Sequence, residues 1–476
     1  MEDPRSFPHN EGGFEMTIGS RKSVSGTRGT AAVGQLGLED APANDQETIY
    51  ASGTSSTAGA VANFLNSIVG AGIVGLPFAL AQSGLWAGMF MICLAAFLTH
   101  HATTMLISAG EKANRLNYEE LMAQVFGITG FHLFNFFAGV LAFGAMTAYL
   151  IVIGDTVTEI ALASGTSSLF TNRVSVVSML GTLVILPVAS LKDLAKLSYT
   201  SFVSVIADVL LVCLVVWNGP TESDDVPGID RSETLQFIRP TIFAGFGAMS
   251  FAFVCQSSSF LVYRSMAVRG VEKWNQVSRV AVSAATAMGL ALSFAGYASF
   301  VNKTEGNILN NFSTDHKAAN VARGFLAVTM ILTYPIEMYV ARHVLDASVF
   351  QTVLGLGPIT SVRHYGITLG LWFLSMMLAA STNSLGDIME IFGAFAASMI
   401  GYVMPAMLYI QINRAQLRAA KAKWRPGSPQ YESSLLERLW AIRNFFLPFF
   451  MVVFGVIAMI AGVATAVITE LSVTKT

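Results

Sequence analysis

The chain has little charge. Only 12% of its 476 residues are Asp, Glu, Lys or Arg, against 53% hydrophobic. An ordinary soluble domain carries about 25% charged residues, so most water-soluble classes are excluded. Cysteine is scarce too: Cys93, Cys213 and Cys255 each sit inside an apolar stretch, which leaves no exported disulfide framework. A net charge of −2 gives no basic footprint, and no nucleic-acid partner is expected. Metal-spaced His/Cys clusters and a nucleophile elbow are both missing, so no enzyme and no cofactor beyond a coupling ion is expected. A repeated filter motif of the kind that lines a channel is missing as well. Residues 1–55 hold no apolar signal core, so insertion is expected to use the first internal span.

What is present is a series of long apolar runs. About 20 such residues cross the hydrocarbon core as a helix, and lipid leaves each span to satisfy its own backbone. Candidate spans cover 58–80, 85–108, 132–163, 174–190, 198–217, 237–262, 277–300, 320–342, 364–381, 386–411 and 444–469, with 364–381 the shortest. The fold class is therefore an all-α polytopic membrane protein of eleven spans. Its expected divisions are a cytosolic tail over 1–55, a ten-helix core over 56–411, a basic cytosolic loop over 412–440, an eleventh helix over 441–470 and a short end over 471–476. With the N-terminus in the cytosol, 21 of the 28 Lys and Arg fall on the inner side, as the positive-inside rule requires. The loop over 301–318 then faces outward with two glycosylation patterns, Asn302-Lys303-Thr304 and Asn311-Phe312-Ser313. The basic loop enforces topology, with binding to membrane lipid of anionic charge as the sharper alternative.

Two spans are poor continuous helices. The first reads Asn66-Ser67-Ile68-Val69-Gly70-Ala71-Gly72-Ile73-Val74-Gly75-Leu76-Pro77, and the sixth reads Phe243-Ala244-Gly245-Phe246-Gly247-Ala248-Met249-Ser250-Phe251. They lie five spans apart, so each would open one five-helix half. Paired interruptions of this kind point to a midplane substrate site, although small residues also serve close helix packing. A zwitterionic amino acid suits such a place. Its carboxylate would meet amides near Gly70, Ala71, Gly72 and Ile73, and its ammonium would meet carbonyls near Phe246 and Gly247, with Ser250 alongside.

Polar groups inside other spans need a partner or a use. Asn66 and Thr333 offer oxygens for a hard monovalent cation; alternatively Thr333 bonds its own helix and Asn66 bridges to another. Asp208 and Glu337 are candidates for proton coupling, with an Arg342 pair as the structural alternative for Glu337. Asp155, Glu159, Asp387 and Glu390 are expected in solvated or capping roles near span ends, and His100-His101 at the cytosolic end of the second span.

Asn66 to Pro77, with Gln82-Ser83-Gly84 after it, resembles the first helix of the amino acid/auxin permease family. The likeness is to the sodium-coupled neutral amino acid transporter branch, solute carrier family 38, and to fungal vacuolar amino acid transporters. Ser250 to Tyr263, Leu332 to Arg342 and Ala195-Lys196-Leu197 also resemble motifs of that family, over roughly 58–411. The resemblance implies a LeuT-like fold of five plus five inverted helices with an eleventh added. It implies secondary transport of small neutral amino acids by alternating access, driven by sodium, with the ion held by Asn66 and Thr333. Related branches are proton-coupled vacuolar or lysosomal transporters, and an amino-acid-sensing receptor on the same fold is a further alternative. This sequence departs from well-known relatives in having no cysteine in the outer loops and Pro77 where some have serine.

Overall fold

The computed structural model describes residues 53–166, 168–191, 200–223, 226–382, 384–416, 444 and 446–473. The tail over 1–52, the Ala195-Lys196-Leu197 motif and most of the basic loop lie outside the described residues. Among those described, the regular structure is helical apart from one isolated bridge, Ser55 to Met266.

Eight helices are long and apolar enough to cross a membrane, and a bent pair, Thr57–Ile68 with Gly72–Ser83, makes a ninth span. Two further helices fall where the other two expected spans lie. Ser361–Ser381 has 21 residues, so the ninth span is longer than its apolar run. The short one is the fourth, Arg173–Ala189, which contains a π turn at Gly181–Ile185. The third helix begins at Tyr118 rather than near 132, and runs through a kink at Gly127, whose φ of 66° puts it in the left-handed region that glycine tolerates. Large apolar side chains point outward along the spans, among them Trp217, Leu183 and Phe90. In water such faces would be a liability; against acyl chains they are the expected solvent contact.

The packing follows the repeat. The sixth span packs on the first, the seventh on the second, the eighth on the third and the ninth on the fourth. Each is the counterpart five positions on, as two five-helix halves related by an axis in the membrane plane would pair. The eleventh helix, Leu447–Val473, lies against the sixth and tenth spans.

Candidate functional site

The first span breaks where its glycines are. The helix Thr57–Ile68 starts on a Ser56 cap whose Oγ accepts the Gly59 amide at 3.1 Å, and ends at Val69, whose backbone is extended. Gly70 is also non-helical, a 3-10 turn over Ala71–Gly75 follows, and the segment Gly72–Ser83 leaves at 51° to the first half. Pro77 sits in the first turn of that second half, where its missing amide costs nothing. The first bond within the turn runs from the Ile73 amide to the Gly70 carbonyl at 3.1 Å. The Ile73 amide, expected to be a carboxylate donor, is therefore already engaged. Ala71 and Gly72 lie ahead of that bond, at the positions where helix amides lack an intrahelical acceptor.

The sixth span breaks elsewhere than its glycines suggested. Ile242–Phe253 is continuous through Gly245 and Gly247, and the interruption is at Val254 and Cys255, before Gln256–Ser265. The carbonyls near Phe246 and Gly247 are thus not freed; that of Phe246 accepts the Ser250 hydroxyl at 2.8 Å. The expected ammonium contacts at Phe246 and Gly247 are corrected accordingly. These glycines serve packing instead. A Cβ on Gly245 would stand 2.6 Å from the Ala79 carbonyl oxygen, and one on Gly247 would stand 2.5 Å from that of Glu390. The helix is gripped between the first and tenth spans, and the Phe246 ring turns toward Tyr402 and Phe454. At the actual break, Thr99 donates to the Phe253 carbonyl at 3.4 Å, and the Gln256 side chain accepts the Cys255 amide at 2.9 Å. The Tyr402 hydroxyl lies within hydrogen-bond reach of Ser250 and Thr99. None of Thr99, Gln256 and Tyr402 was singled out from sequence, because an isolated polar residue in an apolar run gives no hint of which backbone group it will cap.

The two interruptions meet. Gly72 rests on Ala252, two residues before the sixth-span break: a Cβ on Gly72 would lie 2.5 Å from the Ala252 Cα. Gly75 faces Met389 of the tenth span, and the next residue, Glu390, is 4% exposed with Oε1 lacking any hydrogen-bond partner. Glu390 thus stands in the helical core rather than in the solvated or capping role expected of it. A π segment starts three residues later, at Gly393–Ala397, and such bulges are frequent at functional sites.

The 301–316 loop closes the same end. Its turn Ile308–Asn311 packs against the 3-10 turn of the first span. Arg323, fully buried, donates to the carbonyls of Leu309, Phe312 and Ser313 at 2.9, 2.8 and 3.3 Å. Asp155 pairs with Arg173 at 2.6 Å and accepts from Asn310 at 3.3 Å. The loop is therefore tied to the third and eighth spans by polar bonds.

The ion candidates divide. Asn66 Oδ1 is buried and has no hydrogen-bond partner among the described residues. Thr333 donates to the Thr329 carbonyl at 2.7 Å, the bond to its own helix, which leaves its oxygen lone pairs pointing away. The half-helix bearing Asn66 packs on the fifth, sixth and seventh spans, and the helix bearing Thr333 packs on the third and fifth. Asp208, on the fifth span that touches both, is 1% exposed with Oδ2 unpartnered. Glu337 lies within electrostatic reach of the Tyr149 hydroxyl. Arg342 is not its partner; that guanidinium donates to the Ala189 carbonyl and the Thr368 hydroxyl, at 3.1 and 2.8 Å. His100 is mid-helix, bonded to Ser278 at 3.1 Å, rather than at the end of the second span. No group of three or more His, Cys, Asp or Glu that could hold a metal occurs among the described residues.

Known proteins agree with this architecture. A "Putative sodium-coupled neutral amino acid transporter 11" of Danio rerio is 29% identical over 76% of this chain and 80% of its own length. Vacuolar amino acid transporter 2 of Saccharomyces cerevisiae is 28% identical over 79% and 80%. Sodium-coupled neutral amino acid transporter 7 of Xenopus laevis is 24% identical over 78% and 84%. Among solved structures, Mhp1 in an inward-facing conformation superposes with a TM-score of 0.53 at 13% identity, covering 89% of this chain and 92% of that one. A second Mhp1 structure, closed on bromovinylhydantoin, gives 0.53 at 15% identity, covering 90% and 94%. That likeness is one of fold, and the fold is LeuT-like. The family model described as transmembrane amino acid transporter protein matches residues 53–468, and the chain belongs to that family.

Proposed function

We propose that this protein carries small neutral amino acids across a membrane by alternating access, with sodium as the coupling ion. The observation that carries the reading is the meeting of two interrupted spans at Gly72 and Ala252, with Asn66, whose buried oxygen has no partner among the described residues, in the last turn of the helix before the first break. In this reading the substrate carboxylate meets the amides of Ala71 and Gly72, aided by the positive end of the second half-helix. Gly70 leaves room for the approach, since a Cβ there would meet nothing within 4 Å. Ser250, buried one turn before the sixth-span break, is available beside it. The ammonium goes to backbone oxygens exposed by the Val254–Cys255 break, not to those of Phe246 and Gly247. Sodium is held by Asn66 and Thr333 with carbonyls of the first-span break. The N-terminus lies in the cytosol, so that the 301–316 loop caps the site from outside.

A second reading has its own support. Asp208 is a buried carboxylate with an unpaired oxygen on the helix that links the Asn66 and Thr333 segments. An uncompensated charge there is costly unless it binds a proton or sits near a cation. Proton coupling in a vacuolar or lysosomal membrane, with Asp208 and Glu337 as carriers, follows from that group.

Uptake of a labelled panel of neutral amino acids into proteoliposomes, with sodium and proton gradients imposed separately, tests both. Flux that requires sodium supports the first reading, and flux that follows protons alone supports the second. Saturable binding without flux under either gradient would instead indicate a receptor.

A further inference from the structure

A cavity with charged groups in its lining lies apart from the broken helices, where the eighth span ends and the ninth begins. Its volume is about 330 Å³, and Tyr339, Arg342, His343, Asp346, Thr360 and His364 line it. Arg342 is its central group. The residue is 3% exposed, and only Nη1 is bonded, to the Ala189 carbonyl and the Thr368 hydroxyl. Nε and Nη2 make no hydrogen bond, and no carboxylate pairs with this guanidinium among the described residues. The Tyr339 ring beneath it, 5.9 Å away, adds attraction but no negative charge.

The other charges around the cavity are matched. Asp346 is paired with Arg363 at 2.6 Å and accepts from Gln351 at 2.6 Å. His343 faces Glu119 at 3.2 Å, and His364 bonds the Ser190 carbonyl at 3.1 Å. Among the described residues, one positive charge is left over. The N-terminus of the 21-residue ninth-span helix opens on the same space, capped by Thr360, whose oxygen accepts the Arg363 amide at 3.3 Å. A helix N-terminus adds its own positive potential. A buried arginine with free donors and a helix start thus converge on one cavity.

We infer that this cavity binds the phosphate of an anionic membrane phospholipid. The choice of a lipid over a free anion comes from the surface beside it. The segment joining the two spans exposes Val353, Leu354, Leu356, Ile359 and Val362, the last at 84%. Apolar side chains flanking a phosphate-binding cavity suit acyl chains and do not suit a soluble anion. In the N-in orientation proposed above this is the cytosolic leaflet, where anionic lipids concentrate. The binding itself does not depend on that orientation, nor on what is transported. Both contributing spans end here, so an occupied cavity would brace the eighth span against the ninth.

The test uses the full-length chain purified in a neutral detergent, with dioctanoyl phosphatidic acid, dioctanoyl phosphatidylcholine and inorganic phosphate as probes. The expected result is saturable binding of phosphatidic acid with a raised Tm, and at least about tenfold weaker binding in Arg342→Gln, the loss of one charge-assisted contact. Arg342→Gln also disturbs two structural bonds, so Thr360→Asp is the cleaner variant. Asp caps a helix as well as Thr does, but places a negative charge in the cavity. It should keep the Tm of the lipid-free protein and lose binding by a similar factor. Unchanged affinity in Thr360→Asp, or phosphatidylcholine binding as tightly as phosphatidic acid, would overturn the proposal. Inorganic phosphate competing at equal concentration would overturn the lipid assignment and leave a soluble-anion site.

Discussion

Replacing Gly72 by alanine probes the junction on which the transport reading depends. The new methyl carbon would stand 2.5 Å from the Ala252 Cα, 3.0 Å from its Cβ and 3.3 Å from its amide nitrogen. Two of those atoms are backbone, so no side-chain rotation relieves the contact. The half-helices must separate, and overpacking of this kind costs about 1–3 kcal/mol. A strain of that size, felt in one conformation and not another, shifts a conformational balance by about 5- to 150-fold. Gly70→Ala is the paired control, since its Cβ meets nothing within 4 Å. Purified variants would be compared by thermal unfolding and by amino acid uptake into proteoliposomes. Gly72→Ala should lower Tm and the maximal rate. Gly70→Ala should keep Tm and alter KM. Ala252→Gly, added to Gly72→Ala, should restore part of the loss, because it removes the 3.0 Å contact but not the 2.5 Å one. Wild-type Tm and rate in Gly72→Ala, or equal Tm losses in the two single variants, would refute the reasoning.

Other expectations follow from individual groups. Asn66→Ala and Thr333→Ala should each raise the sodium concentration needed for half-maximal flux while leaving Tm within a few degrees; unchanged sodium dependence in both would sink the ion site. Asp208→Asn should keep the fold, since it removes a buried charge, and should abolish proton-driven flux if that carboxylate is the carrier; a residual proton-driven rate equal to wild type would exclude it. Arg323→Met leaves three loop carbonyls without their donor, at about 1–3 kcal/mol for each group that water cannot reach. Limited proteolysis of the 301–316 loop, together with Tm, would register the release. Asn302 is exposed and its amide nitrogen makes only a long 3.5 Å contact to the Gly228 carbonyl, whereas the half-buried Asn311 amide nitrogen bonds the Lys303 carbonyl at 2.7 Å. A glycosidase-sensitive mass should therefore disappear in Asn302→Gln and persist in Asn311→Gln, and a glycan on that loop would fix it on the outer or lumenal side.

The interrupted first span was legible because three glycines fall within six residues, Gly70 to Gly75, with Pro77 just after, and few other arrangements use them. The sixth span misled the same logic. Gly245 and Gly247 are as permissive as Gly70 in isolation, yet the first and tenth spans press on both of their faces and hold the helix straight. The break moved to Val254 and Cys255, where the sequence has no glycine and where the side chains of Thr99 and Gln256 supply the missing backbone partners. Glu390 was misjudged for a related reason. Five residues inside a span, a carboxylate is solvated or buried according to how its neighbours lean, and the sequence carries no sign of that.

Composition and periodicity determined by themselves that the chain lives in lipid as eleven helices, since no water-soluble arrangement hides so many apolar runs with so little charge. Spacing determined that the helices fall into two repeats of five, and local chemistry determined where the first one breaks. The tertiary structure alone decided which glycines bend a helix and which let another helix approach, and which carboxylates lack a partner. It also decided that the 301–316 loop is bolted down by Arg323 and that Arg342 faces a cavity rather than Glu337. Those outcomes depend on contacts between residues far apart in sequence. A side chain's cost or usefulness in a membrane is set by the few atoms that surround it.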